Sequence, residues 1–149
     1  MVRLEVITSE EPNYMALEAL KSFAAVSDKG QEYLLNIALK RAFAMVQRYA
    51  DIALIAGQYV VKADDHNGEV RVYMGGKVDF VKDAKGADVP FEQKGNLVEL
   101  HTDRYVEVTF TTNPSPADYD RLLPVVLRYA TACYDGKSTS ELNAILREC

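Results

Sequence analysis

Cysteine is scarce in this chain. Cys133 and Cys149 are the whole supply among 149 residues. Two thiols cannot build the disulfide framework of a small secreted scaffold. Histidine is equally scarce, with only His66 and His101, so the ligand set of a structural zinc site is missing. Cys133 falls on the apolar side of a helical pattern and reads as a core thiol; Cys149 is the last residue. Long apolar runs are absent, and no stretch has the length needed to cross a bilayer. The opening Met1-Val2-Arg3-Leu4-Glu5-Val6 sets charges among its apolar residues and has no extended hydrophobic region, unlike a signal peptide. The expectation is a soluble, cytosolic-type chain without a membrane partner. An excess of positive charge is absent too. Lys and Arg number 17 against 22 Asp and Glu, a net charge of −5. Tight nucleic-acid binding needs a basic face that displaces counterions from phosphate, so this balance disfavours it.

The usual signatures of catalysis are also missing. The sequence contains no Gly-x-Ser-x-Gly, no Walker-type loop and no Gly-x-Gly-x-x-Gly. Gly75-Gly76-Lys77 lacks the remaining glycine spacing and the following Ser or Thr of a phosphate loop, and reads as a turn. Asp64, Asp65 and Glu69 around Asn67-Gly68 lack the alternation and distal glutamate of a calcium loop. His66 and His101 sit in turn-like polar segments, far in sequence from either cysteine, and read as surface residues. The expectation is no enzyme, with no catalytic, cofactor-binding or metal-binding residues and no cofactor.

Hydrophobic residues make up 48% and charged residues 26% of the chain, an ordinary globular balance. The length suits a single α+β domain, residues 1–149. A first helix is expected over about 13–26, with Thr8, Ser9 or Asn13 as its cap and Leu17, Leu20 and Ala24 on one face. Ser27-Asp28-Lys29-Gly30 breaks the pattern, and Asp28 with Gln31 offers a capping box for the next helix. That helix, about 30–55, carries the strongest periodicity. Leu34, Ala38, Met45 and Tyr49 form an apolar stripe with Leu35, Leu39, Ala42 and Val46 beside it. Asn36, Lys40, Gln47 and Asp51 line the opposite side, flanked by Arg41 and Arg48. Ile37 falls inside this polar sector, a mild pointer to a contact surface. Residues 57–111 read as β. Strands are expected at Gln58–Lys62, through Val70, Val72 and Met74, at Val78–Val81, Leu97–Leu100 and Tyr105–Thr111, with Asp83–Gly95 a protruding loop or irregular hairpin. Tyr59, Tyr73 and Tyr105 on strands are candidates to face a partner. Ser115 and Pro116 open a helix over about 116–135, in which Pro124 sits on the polar side. Ser138 and Glu141 cap a short helix, about 138–148, whose stripe is Leu142, Ile145 and Leu146.

The order of these elements resembles phage head–tail connector proteins, also called adaptor or head-completion proteins. Four stretches carry the resemblance. They are Val26-Ser27-Asp28 leading into Gln31-Glu32-Tyr33-Leu34-Leu35, and the long helix running Ala42, Val46 and Tyr49. The last strand, Tyr105-Val106-Glu107-Val108-Thr109-Phe110-Thr111, is the third. The fourth is the Pro116 helix running Leu122-Leu123 to Ala130 and Tyr134, with a short apolar helix after it. The family often follows the long helix's tyrosine with Thr-Gly-Arg, where this chain reads Tyr49-Ala50-Asp51. The resemblance implies a mainly helical fold, a small helical bundle with a mid-chain antiparallel β excursion. It implies a homo-oligomeric ring of about twelve subunits between the portal and the tail or stopper protein of a tailed phage or prophage. DNA would pass through without sequence-specific binding, and the acidic balance suits such passage. The place would be the head–tail junction of the virion, and the host cytoplasm during assembly. Subunit contacts would then fall on Ile37, Lys40, Arg41, Arg48 and Tyr73. Portal or tail contacts would fall on Leu142, Ile145, Leu146, Asp65, Asn67 and Lys85. The competing expectation is a small bacterial binding or accessory module acting through protein–protein contacts, with an enzyme of dispersed site as a third reading.

Overall fold

The computed structural model describes residues 1–12, 14–24 and 31–149. The cap at Asn13, the helix end at Val26, the Ser27–Gly30 break and the Asp28 capping box lie outside the described residues. In chain order the elements are β1 (Val2–Ser9), α1 (Tyr14–Phe23), α2 (Glu32–Ala50), β2 (Gly57–Ala63), β3 (Glu69–Arg71) and β4 (Lys77–Asp83). Then come β5 (Phe91–Lys94), β6 (Leu97–Leu100), β7 (Val106–Thr112), α3 (Pro116–Tyr134) and α4 (Thr139–Leu146). They divide into two compact units, Met1–Glu10 with Ile55–Pro114 and Glu11–Leu54 with Ser115–Cys149. The first holds the strands, the second the helices. The expected helical bundle with a β excursion is therefore corrected. Two antiparallel sheets form a unit with its own core, too large to be an excursion from a bundle. The resemblance weighted the helical stretches, and the strand at the chain's start went unread.

The larger sheet runs β1-β2-β7-β4. Its strands form by alternation: Tyr59, Val61 and Ala63 on β2 oppose Phe110, Val108 and Val106 on β7, and all six are buried. Val78 and Val81 of β4 continue that face opposite Phe110 and Val108. The Phe110 ring stacks on Tyr59 at 5.6 Å between centroids, a geometry that adds to the burial of both rings. The second sheet, β3-β6-β5, pairs Val70 with Val98 in its buried layer. Its edge strand β5 lies inside the segment expected as a loop. Gln93 on β5 explains its position. Its side-chain oxygen accepts the Val78 N–H at 2.9 Å, and its amide nitrogen donates to the carbonyls of Gly76 at 2.8 Å and Gly95 at 2.9 Å.

In the helical unit, α2 buries Leu35, Ala38, Leu39, Ala42, Phe43, Val46 and Gln47. This corrects the stripe read from the periodicity. Leu34, Met45 and Tyr49 are exposed, and Gln47 is inside. Gln47 is tolerated there because its side-chain oxygen accepts the Leu54 N–H at 3.2 Å, which keeps a buried polar group paired. The helix stops at Ala50 because Asp51 turns left-handed at φ 56°, its N–H donating to the Gln47 carbonyl. α3 is continuous through Pro124, whose ring is on the exposed side, where the helix hydrogen bond it lacks is open to solvent and not buried. Gly136, at φ 71°, ends the helical chain after Asp135, and Lys137 N–H closes back to the Ala132 carbonyl at 2.9 Å. The Ser138 hydroxyl accepts the Glu141 N–H at 3.3 Å, as its capping pattern requires.

Candidate assembly surface

The exposed side of α2 concentrates apolar and cationic groups. A helical turn of 100° per residue brings Ile37, Arg41, Ala44 and Arg48 to the middle of that side, with Tyr33 and Leu34 at its start and Met45 at its rim. Tyr33 is 75% and Ile37 47% exposed. No acidic residue interrupts α2 between Glu32 and Asp51. Lys40 reaches Glu11 at 2.6 Å, so its charge is shared inside the chain. Arg41 is hydrogen-bonded to Tyr129 of α3, so the face is an apolar stripe whose outward cation is Arg48, suited to a partner surface that is apolar with acidic groups at its rim. Of the expected subunit contacts, the structure brings Ile37, Lys40, Arg41 and Arg48 onto one helix. Tyr73 is in the other unit, half-buried, with Arg71 5.3 Å over its ring.

The expected C-terminal contacts need correction. Leu142 and Leu146 are buried, at 6% and 3% exposure, and only Ile145 reaches the surface in part. The physical reason is that α4 packs on α3 inside the unit, with Arg128 and Glu148 closing an ion pair between them. A short helix is marginal without a partner, and here the partner is the chain's own third helix.

Asp65, Asn67 and Lys85 are all exposed on turns of the β unit. The turn holding Asp65 and Asn67 is built around His66, a residue whose polar surroundings in the sequence predict a surface position. The structure buries it. Its Nδ1 accepts the Gly68 N–H at 3.1 Å, so Nε2 carries the proton and donates to the Arg104 carbonyl. The signal was the following Asn67-Gly68, with Gly68 at φ 81° directing its amide back to the ring. His66→Ala should leave both backbone groups unsatisfied and cost about 1–3 kcal/mol, read by urea denaturation. An unchanged midpoint would show that water replaces the ring without loss.

The Lys85 turn is held by Asp83. Its carboxylate accepts the Ala87 N–H at 2.9 Å and the Lys85 N–H at 2.8 Å, and these bonds pull its pKa below the ordinary 3.8. A depressed carboxylate contributes stability that is present above the unfolded value and lost as pH falls through the folded one. The turn should therefore be unchanged from neutral pH down to about pH 4 and loosen below it. The Lys85 and Ala87 amide proton shifts should titrate together with a midpoint under 3.8. A midpoint at or above that value would contradict the assignment.

A cleft of about 350 Å³ beside this turn is lined by Asp83, Asp88, Pro90, His101, Arg104 and Tyr105 among others. Its carboxylates are already engaged, Asp83 by backbone amides and Asp88 by Lys82 at 2.5 Å. Among the described residues no group of three or more His, Cys, Asp or Glu is placed to hold a metal. Burial pushes the Cys133 thiol up, against a weaker opposing pull from Arg41, so it stays protonated and poorly nucleophilic at neutral pH. No helix among the described residues is long and apolar enough to cross a membrane.

No family model matches the chain, and no curated protein matches it. Solved structures do. A chain in the neck of the empty gene transfer agent particle, computed with C6 symmetry, superposes with TM-score 0.64 at 17% identity. The match covers 98% of this chain and 94% of that one. A chain of the virion of the native gene transfer agent particle gives 0.63 at 14% identity, covering 97% and 93%. A chain in the neck of the native particle, computed with C12 symmetry, gives 0.53 at 16% identity, covering 95% and 94%. These likenesses establish a shared fold over nearly the whole of each chain.

Proposed function

We propose that this chain, whose fold is that of gene transfer agent neck and virion chains, is a structural subunit of a virion neck. It assembles into a ring between the portal and the tail of a tailed phage or prophage particle, and leaves a passage for DNA. The observation that carries this reading is near-full-length likeness to chains from necks computed with C6 and C12 symmetry, together with the exposed apolar and cationic face of α2. Closed rings need a heterologous contact in which one patch meets a different patch on the next copy. The α2 face supplies one side of it. An acidic group on an exposed turn, such as Asp103, supplies a charge of the sign that Arg41 and Arg48 attract. The portal and tail contacts fall to the exposed turns around Asp65, Asn67 and Lys85 and to Ile145. The ring works through contacts and does no chemistry.

The test is genetic. Particle-producing cells lacking this chain should accumulate filled heads and separate tails, and supplying the chain in trans should restore joined particles. Joined, DNA-delivering particles made in its absence would overturn the proposal.

A further inference from the structure

The larger sheet has two edges, and they differ. Along β4 the chain covers its own edge. Val78 N–H is taken by Gln93, Val89 N–H donates to the Val81 carbonyl at 2.9 Å, and Lys82 bridges to Asp88. Along β1, among the described residues, nothing covers the edge. β1 pairs only with β2, in the register Val2↔Ala63, Arg3↔Lys62, Leu4↔Val61 and Val6↔Tyr59. The Asp64 N–H donates to the Met1 carbonyl at 3.2 Å. Antiparallel ladders alternate, so Met1, Arg3 and Glu5 turn their backbone groups toward β2, and Val2 and Leu4 turn theirs outward. The same alternation puts Val2, Leu4 and Val6 on the apolar face that continues through Val61 and Val108. That face is closed on β2 and β7, yet Val2 and Val6 at its edge are 51% and 61% exposed. An open strand edge with an exposed apolar row is a template for another strand.

We propose that β1 pairs with β1 of a second copy of this chain, antiparallel about Leu4, joining the two larger sheets into one. The sequence is self-complementary in this register. Val2 meets Val6 of the second copy and Leu4 meets Leu4, so the exposed apolar row is covered. On the opposite face Arg3 meets Glu5 and Glu5 meets Arg3, opposite charges directly across the ladder. Within one chain Arg3 already reaches Glu5 at 2.7 Å and Lys62 reaches Glu5 at 3.0 Å; the second copy extends this row of alternating charge. The outward amides and carbonyls of Val2 and Leu4 gain partners at the same time. This contact is isologous, with the same patch on both copies, and so is distinct from the heterologous contact of a ring. It fits the free subunit before assembly.

The register is tested by charge reversal and mixing, with mass read by sedimentation equilibrium. The wild-type chain should show a monomer–dimer equilibrium at micromolar to millimolar concentration. Arg3→Glu places only carboxylates along the seam and Glu5→Arg places only guanidiniums. Each variant alone should weaken the dimer by about tenfold or more. An equimolar mixture of the two restores opposite charges across the seam in the heterodimer and should regain wild-type association. Circular dichroism checks that each variant is folded. A wild-type chain that stays monomeric throughout, or variants whose mixture associates no better than either alone, overturns the proposal. Neither result bears on ring assembly, which is read with the portal present.

Discussion

Phe110→Ala should cost the β unit about 3–5 kcal/mol, the range for emptying a fully buried aromatic site. Phe110 is entirely buried at the centre of β7. It lies opposite Tyr59 on one side and Val78 on the other, and its ring stacks on Tyr59 with planes 17° apart. Neither neighbour can close the gap: Tyr59 is held between β1 and β7 in the sheet, and Val78 by its N–H on the Gln93 side chain. The same ring explains why Gly76 has no side chain. A Cβ there would overlap the Phe110 ring and would meet the Tyr73 carbonyl at 3.1 Å. Gly76→Ala alone should therefore destabilise by about 1–3 kcal/mol through overpacking. In the Phe110→Ala background the ring overlap is gone and only the close Tyr73 carbonyl contact remains, so the second substitution should cost clearly less than it does alone. Urea denaturation of the two single variants and the double variant measures this coupling. Simple additivity would contradict the packing described here.

The second large effect concerns assembly. Leu34→Asp with Ile37→Asp should abolish ring formation while leaving the fold within about 0.5 kcal/mol of wild type. Both side chains are about half exposed on α2 and contribute little to the helical unit's core. In an interface they would be the apolar centre of the patch, and a carboxylate buried there without a partner is costly. The penalty recurs at every contact around a ring, so modest local costs become a complete loss. Arg48→Glu should weaken assembly less, and more at low salt than at high salt, since a rim charge is screened. Urea denaturation and electron microscopy of the same preparations separate the two readouts. Rings that form normally from the double variant would remove α2 from the interface.

Much of the helical unit could be read before the structure. The Ser138–Glu141 cap, the proline-initiated α3 and the periodicity of α2 are local signals, and each appears in place. Which side of α2 faces inward could not be read. Leu34, Met45 and Tyr49 are as apolar as Leu35, Leu39 and Val46, so the helix is hydrophobic over more than one face. Periodicity alone cannot choose between two apolar faces. Gln47 sharpened the error, because a glutamine counts as polar until the Leu54 amide that it satisfies is known. That second apolar face, with Ile37 in its middle, is the one on which the proposed contact rests. In the β unit, β2 and β7 were legible by alternation. β1 was not, because an edge strand exposed on both sides carries charges and hydroxyls that resemble helix caps. β5 was hidden for a similar reason: its exposed Phe91-Glu92-Gln93-Lys94 is held by one glutamine side chain and by pairing with β6. Leu142 and Leu146 formed a visible stripe, but a stripe does not say whether the covering surface is internal or foreign.

A ring-forming neck subunit must seat on its portal, and electron microscopy of the purified chain mixed with the cognate portal shows whether it does. Rings with a central channel should be seen seated on the portal, in cyclic symmetry, and should be lost with the Leu34→Asp/Ile37→Asp variant. A folded chain that leaves the portal bare at every concentration tried would contradict that role.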